Sequence, residues 1–243
     1  MARKAARRSA RPSRPATANG PAAPTSDRER IVAALLTLLA ETPFEEIGVA
    51  DVAATAGVSL AQLRGEFPST LAIVAAHMKV TDRAVLAQDF SDMAEEPARE
   101  RLFDVLMRRL EIMAPHRSAV RSLIRSARRS PPLAMALNGL GMRSQQWMLA
   151  AAGINAWGPR GLIHAQGLAM LFASVLRTWV DDEDSGLART MAALDRALAR
   201  GQRWGGFLDD LCYIPSRLCR LRSRLRHRRR RRRDEDLEDS AAA

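Results

Sequence analysis

Residues 49–67 read VADVAATAGVSLAQLRGEF, and this stretch decides the fold. Two short apolar-periodic segments meet at Ala56-Gly57-Val58. The first places Val49, Val52 and Ala53 on one face. The second places Leu60, Leu63 and Phe67 on one face, at the i, i+3, i+7 spacing of a helix. Gly57 is expected to end the first helix in the left-handed region, where a Cβ is penalised. Ser59 is expected to cap the second, with Gln62 three residues on completing a capping box. The small side chains of Ala53 and Ala56 let the two helices cross closely. The pattern is a helix-turn-helix, whose second helix can enter a DNA major groove.

The helices on either side extend the pattern. Ser26 with Glu29 is a second capping box, and Asp27 and Glu29 suit the positive end of the helix that follows. Ile31, Leu35, Leu38 and Leu39 form its buried stripe. Pro43 and Gly48 bracket the link to the helix-turn-helix. Beyond Phe67, Pro68 marks a boundary and Ser69 caps a fourth helix through Leu71, Ile73, Val74 and Met78.

These residues resemble the N-terminal domain of TetR-type transcription regulators. The resemblance runs from Arg28 to His77, about fifty residues, over IVAALLTLLAE, PFEEIGVADVAATAGVS and the Leu63/Phe67 pair. Ile47, Val52, Ala53, Gly57, Val58, Ser59, Leu63 and Phe67 stand at the family's framework positions. The chain departs from the family's "LYxHFxSK", with Arg64, Glu66 and Thr70 in place of Tyr, His and Lys. The Tyr and Lys positions touch phosphate in the family; Arg64 can take over such a contact, while Glu66 and Thr70 bring no positive charge.

The chain has 243 residues, 47% of them hydrophobic, enough for one or two domains with a sizeable core. Its abundant Ala and Leu and few aromatics favour helices. The formal net charge of +11 is carried by the two ends. Residues 1–26 hold six basic and no acidic residues. Residues 201–243 hold twelve arginines against seven acids, and the stretch between is neutral. Residues 1–25, without periodicity, are expected to form a disordered basic arm, and 202–243, with Arg228 to Arg233, an Arg-rich disordered tail. Either tail can bind nucleic-acid backbone or remain solvated. An organellar leader is a further reading of the first segment. Cys212 and Cys219 lack metal-ligand spacing and read as reduced thiols. No apolar run reaches the roughly 20 residues of a membrane span.

Between the tails the sequence predicts a head over 26–80 and a helical body over 81–201. Pro97 is expected in the first turn of a helix carrying Leu102, Val105, Leu106, Leu110 and Met113. The next helix shows Arg117, Arg121, Arg125 and Arg128, one per turn. This is a solvated stripe, or one paired with Glu100, Asp104 and Glu111. Pro131-Pro132 breaks the chain, and Gly139 and Gly141 weaken the helix beyond. Gly153 to Pro159 reads as a loop. Leu168, Phe172, Val175 and Trp179, then Met191, Leu194 and Leu198, lie on two last helices joined by the acidic turn Asp181 to Asp184. The resemblance implies that these seven residues form a homodimer surface, as the last helices do in the family; packing inside one subunit is the alternative. Met107, Met113, Met142, Trp147, Met170 and Phe172 are candidates to line a pocket for a small hydrophobic ligand, or are ordinary core.

No nucleophile elbow, phosphate loop or metal motif is found, and the four histidines are scattered. The expectation is a non-enzymatic, all-α protein without cofactor or metal, acting in the cytoplasm on double-stranded DNA as a homodimeric repressor. Seven candidate DNA contacts follow. Ser59 offers its hydroxyl or nearby amides to phosphate, Gln62 reads adenine, Arg64 supplies the cation, and Ala61 meets a thymine methyl. Leu60, Ser69 and Thr70 complete the surface. The end of the body, TWVDDEDSGLARTMAALDRAL, also resembles ubiquinone-biosynthesis accessory proteins, which keep this fold, lose DNA binding and hold isoprenoid lipid. That is the alternative function.

Overall fold

The computed structural model describes residues 26–201 except 91, 92 and 94. Both terminal segments and the two cysteines lie outside these residues. Helices account for almost all the regular structure, with no strand among the described residues. The head comprises α1 (Asp27–Glu41), α2 (Val49–Ala56), α3 (Leu60–Glu66) and the first part of α4 (Thr70–Leu86). The body comprises the rest of α4 with α5 (Ala98–Met113), α6 (Arg117–Arg129), α7 (Pro131–Ala151), α8 (Gly158–Trp179) and α9 (188–201).

The head closes on Ile31, Leu35, Leu39, Ile47, Val52, Leu63, Phe67, Ile73 and Val74, all buried. The side chain of Ala119 on α6 belongs to the same cluster, with Leu123 and Leu137 against it. Head and body therefore share packing along α1 and α6. A methyl at position 119 is what lets α6 approach α1.

The body core is larger. Val85, Leu102, Val105, Leu106 and Leu110 meet Met148, Leu149, Phe172, Val175, Trp179, Leu194 and Leu198. Polar groups thread it. The buried guanidinium of Arg109 pairs with Asp82, which also accepts from the Ser144 hydroxyl at 2.7 Å. These three residues join α5, α4 and α7.

Several local expectations are corrected. Pro97 sits just before α5, with φ −55° and ψ 145°, not in its first turn. Pro131 and Pro132 separate α6 from α7 but open α7, where their missing amides are needed least. Gly139 and Gly141 lie within an uninterrupted 21-residue helix. The loop read from Gly153 to Pro159 gives way to α8 at Gly158. The α6 arginines do not pair with α5. Arg117 donates to the Asp182 carbonyl at 2.6 Å, and Arg121 reaches the Val180 carbonyl and the Asp181 carboxylate. The acidic turn is thus tied to α6. Inside it, buried Asp182 accepts from the amide and hydroxyl of Thr190 at 2.8 and 2.6 Å, contacts that hold its carboxyl below the usual range.

The candidate nucleic-acid interface

The turn between α2 and α3 is built from local chemistry. Gly57 ends α2 at φ 63° and ψ 39°, a left-handed conformation that a side chain would strain. The amide of Val58 donates back to the Ala53 carbonyl at 3.0 Å. Ser59 then caps α3. Its hydroxyl accepts from the Gln62 amide at 3.1 Å, and the Gln62 side-chain oxygen accepts from the Ser59 amide at 2.8 Å. Leu63 and Phe67 anchor α3 in the head core. The opposite face is open: Ser59, Leu60, Ala61, Gln62 and Arg64 are exposed, Leu60 at 55%. Ser69 caps α4, accepting from the Ala72 amide at 3.2 Å, and Thr70 is half-buried at its first turn.

Hydrogen bonds tie much of this polar surface back into the head. Gln62 spends its oxygen on the box and donates its amide to Asp27 at 3.0 Å, so the residue expected to read adenine is held on both sides. Arg64 donates to the Pro68 carbonyl at 3.0 Å. Arg28 pairs with Glu66 at 3.2 Å and lies over the Phe67 ring at 4.3 Å. Arg30 pairs with Asp27 at 2.5 Å and reaches the Ala56 and Gly57 carbonyls. Residues 26–80 hold four basic and seven acidic side chains. The helix-turn-helix thus has its shape without a positive field of its own.

The body does not gather the candidate pocket residues around one interior space. Met113 and Phe172 are buried in the core, and Met107 and Met142 are partly buried against it. Trp147 and Met170 face outward at 51% and 61% exposure, the Trp147 ring lying edge-on to Trp157. The expected dimer surface is redistributed as well. Leu168, Phe172, Val175, Trp179, Leu194 and Leu198 are buried within the one chain, because their stripes face α4, α5 and α7. Met191 is exposed, as are Leu162, Ile163 and Met170 on the outer face of α8.

Sequence reading missed the Arg109–Asp82–Ser144 group. It also missed an imidazole pair beside that group. His77 of α4 and His116, in the single turn before α6, meet edge-to-face at 5.0 Å. Burial, then His116 and Arg109, push the His77 pKa down to about 4; burial lowers that of His116. The available signal was a charge on each of two apolar stripes: Asp82 four residues after Met78, and Arg109 between Leu106 and Leu110.

Among the described residues, no group of side chains could hold a metal ion, and no helix is long and apolar enough to cross a membrane. No family model matches the chain, and no curated protein matches it. Solved structures do. A TetR transcriptional regulator from Nitrosomonas europaea superposes with a TM-score of 0.55 at 22% identity, covering 73% of this chain and 99% of that one. Another, from Rhodococcus sp. RHA1, superposes at 0.53 and 23% identity, covering 72% and 95%. This chain has the fold of the TetR transcriptional regulators.

Proposed function

We propose that the protein is a homodimeric DNA-binding repressor that reads its operator with α3 and is released by a small hydrophobic effector. The observation that carries this reading is the complete turn at Gly57 and Ser59, which leaves Leu60, Ala61 and Arg64 exposed along one helix. Leu60 and Ala61 suit thymine methyls; Arg64 suits a guanine edge or phosphate once it leaves Pro68. Ser59, Ser69 and Thr70 lie at the starts of α3 and α4 as phosphate contacts. Gln62 reads bases only by giving up its bond to Asp27.

Charge comes from outside the head. The basic segment 1–25 enters α1 at Ser26, and Asp27 is bonded to Gln62 on α3. Its six cations would offset the head's excess of carboxylates and supply the salt-dependent part of the affinity. The outer face of α8, with Ile163 and Met170, would meet a second copy, replacing the buried stripe expected from sequence.

The test is selection of random duplex DNA by the full chain near physiological salt. An enriched inverted repeat, lost in an Ala61→Asp/Arg64→Ala variant, is the expected result. Binding without enrichment, unchanged in that variant, would reduce the protein to a tail-driven nucleic-acid binder. One observation favours a second reading: Arg28, Arg30 and Arg64 are all engaged within the head. In that reading the fold persists without operator recognition and the body holds an isoprenoid lipid. Solvent extraction of the purified protein, followed by mass spectrometry, separates the two.

A further inference from the structure

A cleft of about 250 Å³ lies between the end of α1 and the outer face of α6. It shares no residue with α3 or with the body core. One wall is Ala40, Glu41 and Pro43. The other is two parallel rows on α6, Ser118-Ser122-Ser126 and Arg121-Arg125-Arg129, each at i, i+4, i+8. Such a row repeats about every 6 Å along the helix.

The serine row holds the walls together. The Ser122 hydroxyl donates to the Thr42 carbonyl at 3.2 Å, and Ser126 accepts from the Phe44 amide at 3.1 Å. The arginine row is committed to different degrees. Arg121 is engaged with Val180 and Asp181. Arg129 is 4.0 Å from Glu45, both exposed. Arg125 is exposed and has no hydrogen bond, ion pair or ring contact among the described residues, and the Ser118 hydroxyl is likewise unpartnered. The cleft therefore offers the free Arg125 guanidinium, the Arg129 guanidinium at the edge of ion-pair range from Glu45, and a hydroxyl, against Glu41 in the lining and Glu45 beside Arg129.

We propose that this cleft binds a small phosphorylated molecule, with Arg125 and Arg129 gripping the phosphate oxygens. Guanidinium forks match phosphate bidentately, and two arginines four residues apart stand about 6 Å apart along the helix, within reach of one such group. Glu41 opposes the anion and sets the affinity. The ligand would touch the head through α1 and the body through α6.

Inorganic pyrophosphate is the probe, titrated calorimetrically into the full chain in 150 mM salt. The Arg-rich ends contribute equally in every variant, so the readout is the difference between variants. Arg125→Gln/Arg129→Gln should weaken the saturable phase about tenfold or more. Glu41→Gln should tighten it about threefold. All three side chains are exposed at the surface, and unchanged circular dichroism would verify folding. Equal affinity in wild type and both variants would overturn the site. Displacement of pyrophosphate by random duplex DNA, with DNA affinity lost in the arginine variant, would make the cleft a backbone contact instead and overturn the small-ligand assignment.

Discussion

Head and body solve the same packing problem differently. The buried residues of the head, up to Ala76, are all apolar. The body buries Thr81, Asp82, Arg109, Ser144, Gln145, Asp182 and Thr190. An apolar core tolerates small shifts, because dispersion and burial have little directionality. A buried ion pair does not, since a lone charge in a low-dielectric interior is heavily penalised. The head is thus closed by shape, while the body is keyed to one geometry by charge.

Asp82→Ala should therefore break the contrast most sharply. It strands Arg109 in the core and should cost about 3–5 kcal/mol in urea denaturation. A head substitution such as Leu39→Ala should cost a similar amount, about 2–5 kcal/mol, but through a cavity. Only the body loss should be relieved by a second change, Arg109→Met, which removes the orphaned charge. If Asp82→Ala costs under 1 kcal/mol, the buried pair does not key the body.

The histidine pair gives the next effect. The folded pKa of His77 lies below its unfolded value, so folding favours the neutral ring. Its contribution is fully present above about pH 6.5 and is lost as the pH falls towards 4. Facing it are His116 from the turn before α6 and Arg109 from α5, which is itself paired with Asp82. Stability should fall by up to about 3 kcal/mol over that window. His77→Gln should flatten the curve. A wild-type profile flat from pH 7 to 4.5 would mean that the imidazoles do not sense protons.

The head was the legible part, because its instructions are local. Ser59 and Gln62 are three residues apart, and Gly57 marks a backbone conformation by composition alone. Six of the seven residues expected at a dimer surface are buried within one chain, because periodicity records that a helix buries a face, not against what. Leu168, Phe172 and Val175 satisfy the same spacing whether their partner is α5 or another subunit. Arg109 and Asp82, 27 residues apart on different helices, were invisible as a pair until the fold joined them. Arg64 could be named as a DNA contact, but its bond to Pro68 depends on where α3 ends.

Two smaller effects sharpen the head side. Ser59→Ala removes one half of the capping box and should cost about 1 kcal/mol; a cost near zero would mean that water replaces the hydroxyl. It should also loosen Gln62 without touching the body's acid response. Glu66→Gln should change stability by less than about 1 kcal/mol, as for exposed ion pairs. By freeing Arg28 it should strengthen duplex binding and steepen its salt dependence. Unaltered DNA affinity would place Arg28 outside the interface.

The bond from Asp27 to Gln62 has a practical side. Anything joined ahead of Ser26 leaves the molecule within one hydrogen bond of α3. The basic segment 1–25 joins the molecule there, and its six cations would enter any affinity measured on the exposed helix face. Affinities measured on the full chain should therefore be compared with those of a chain that begins at Ser26.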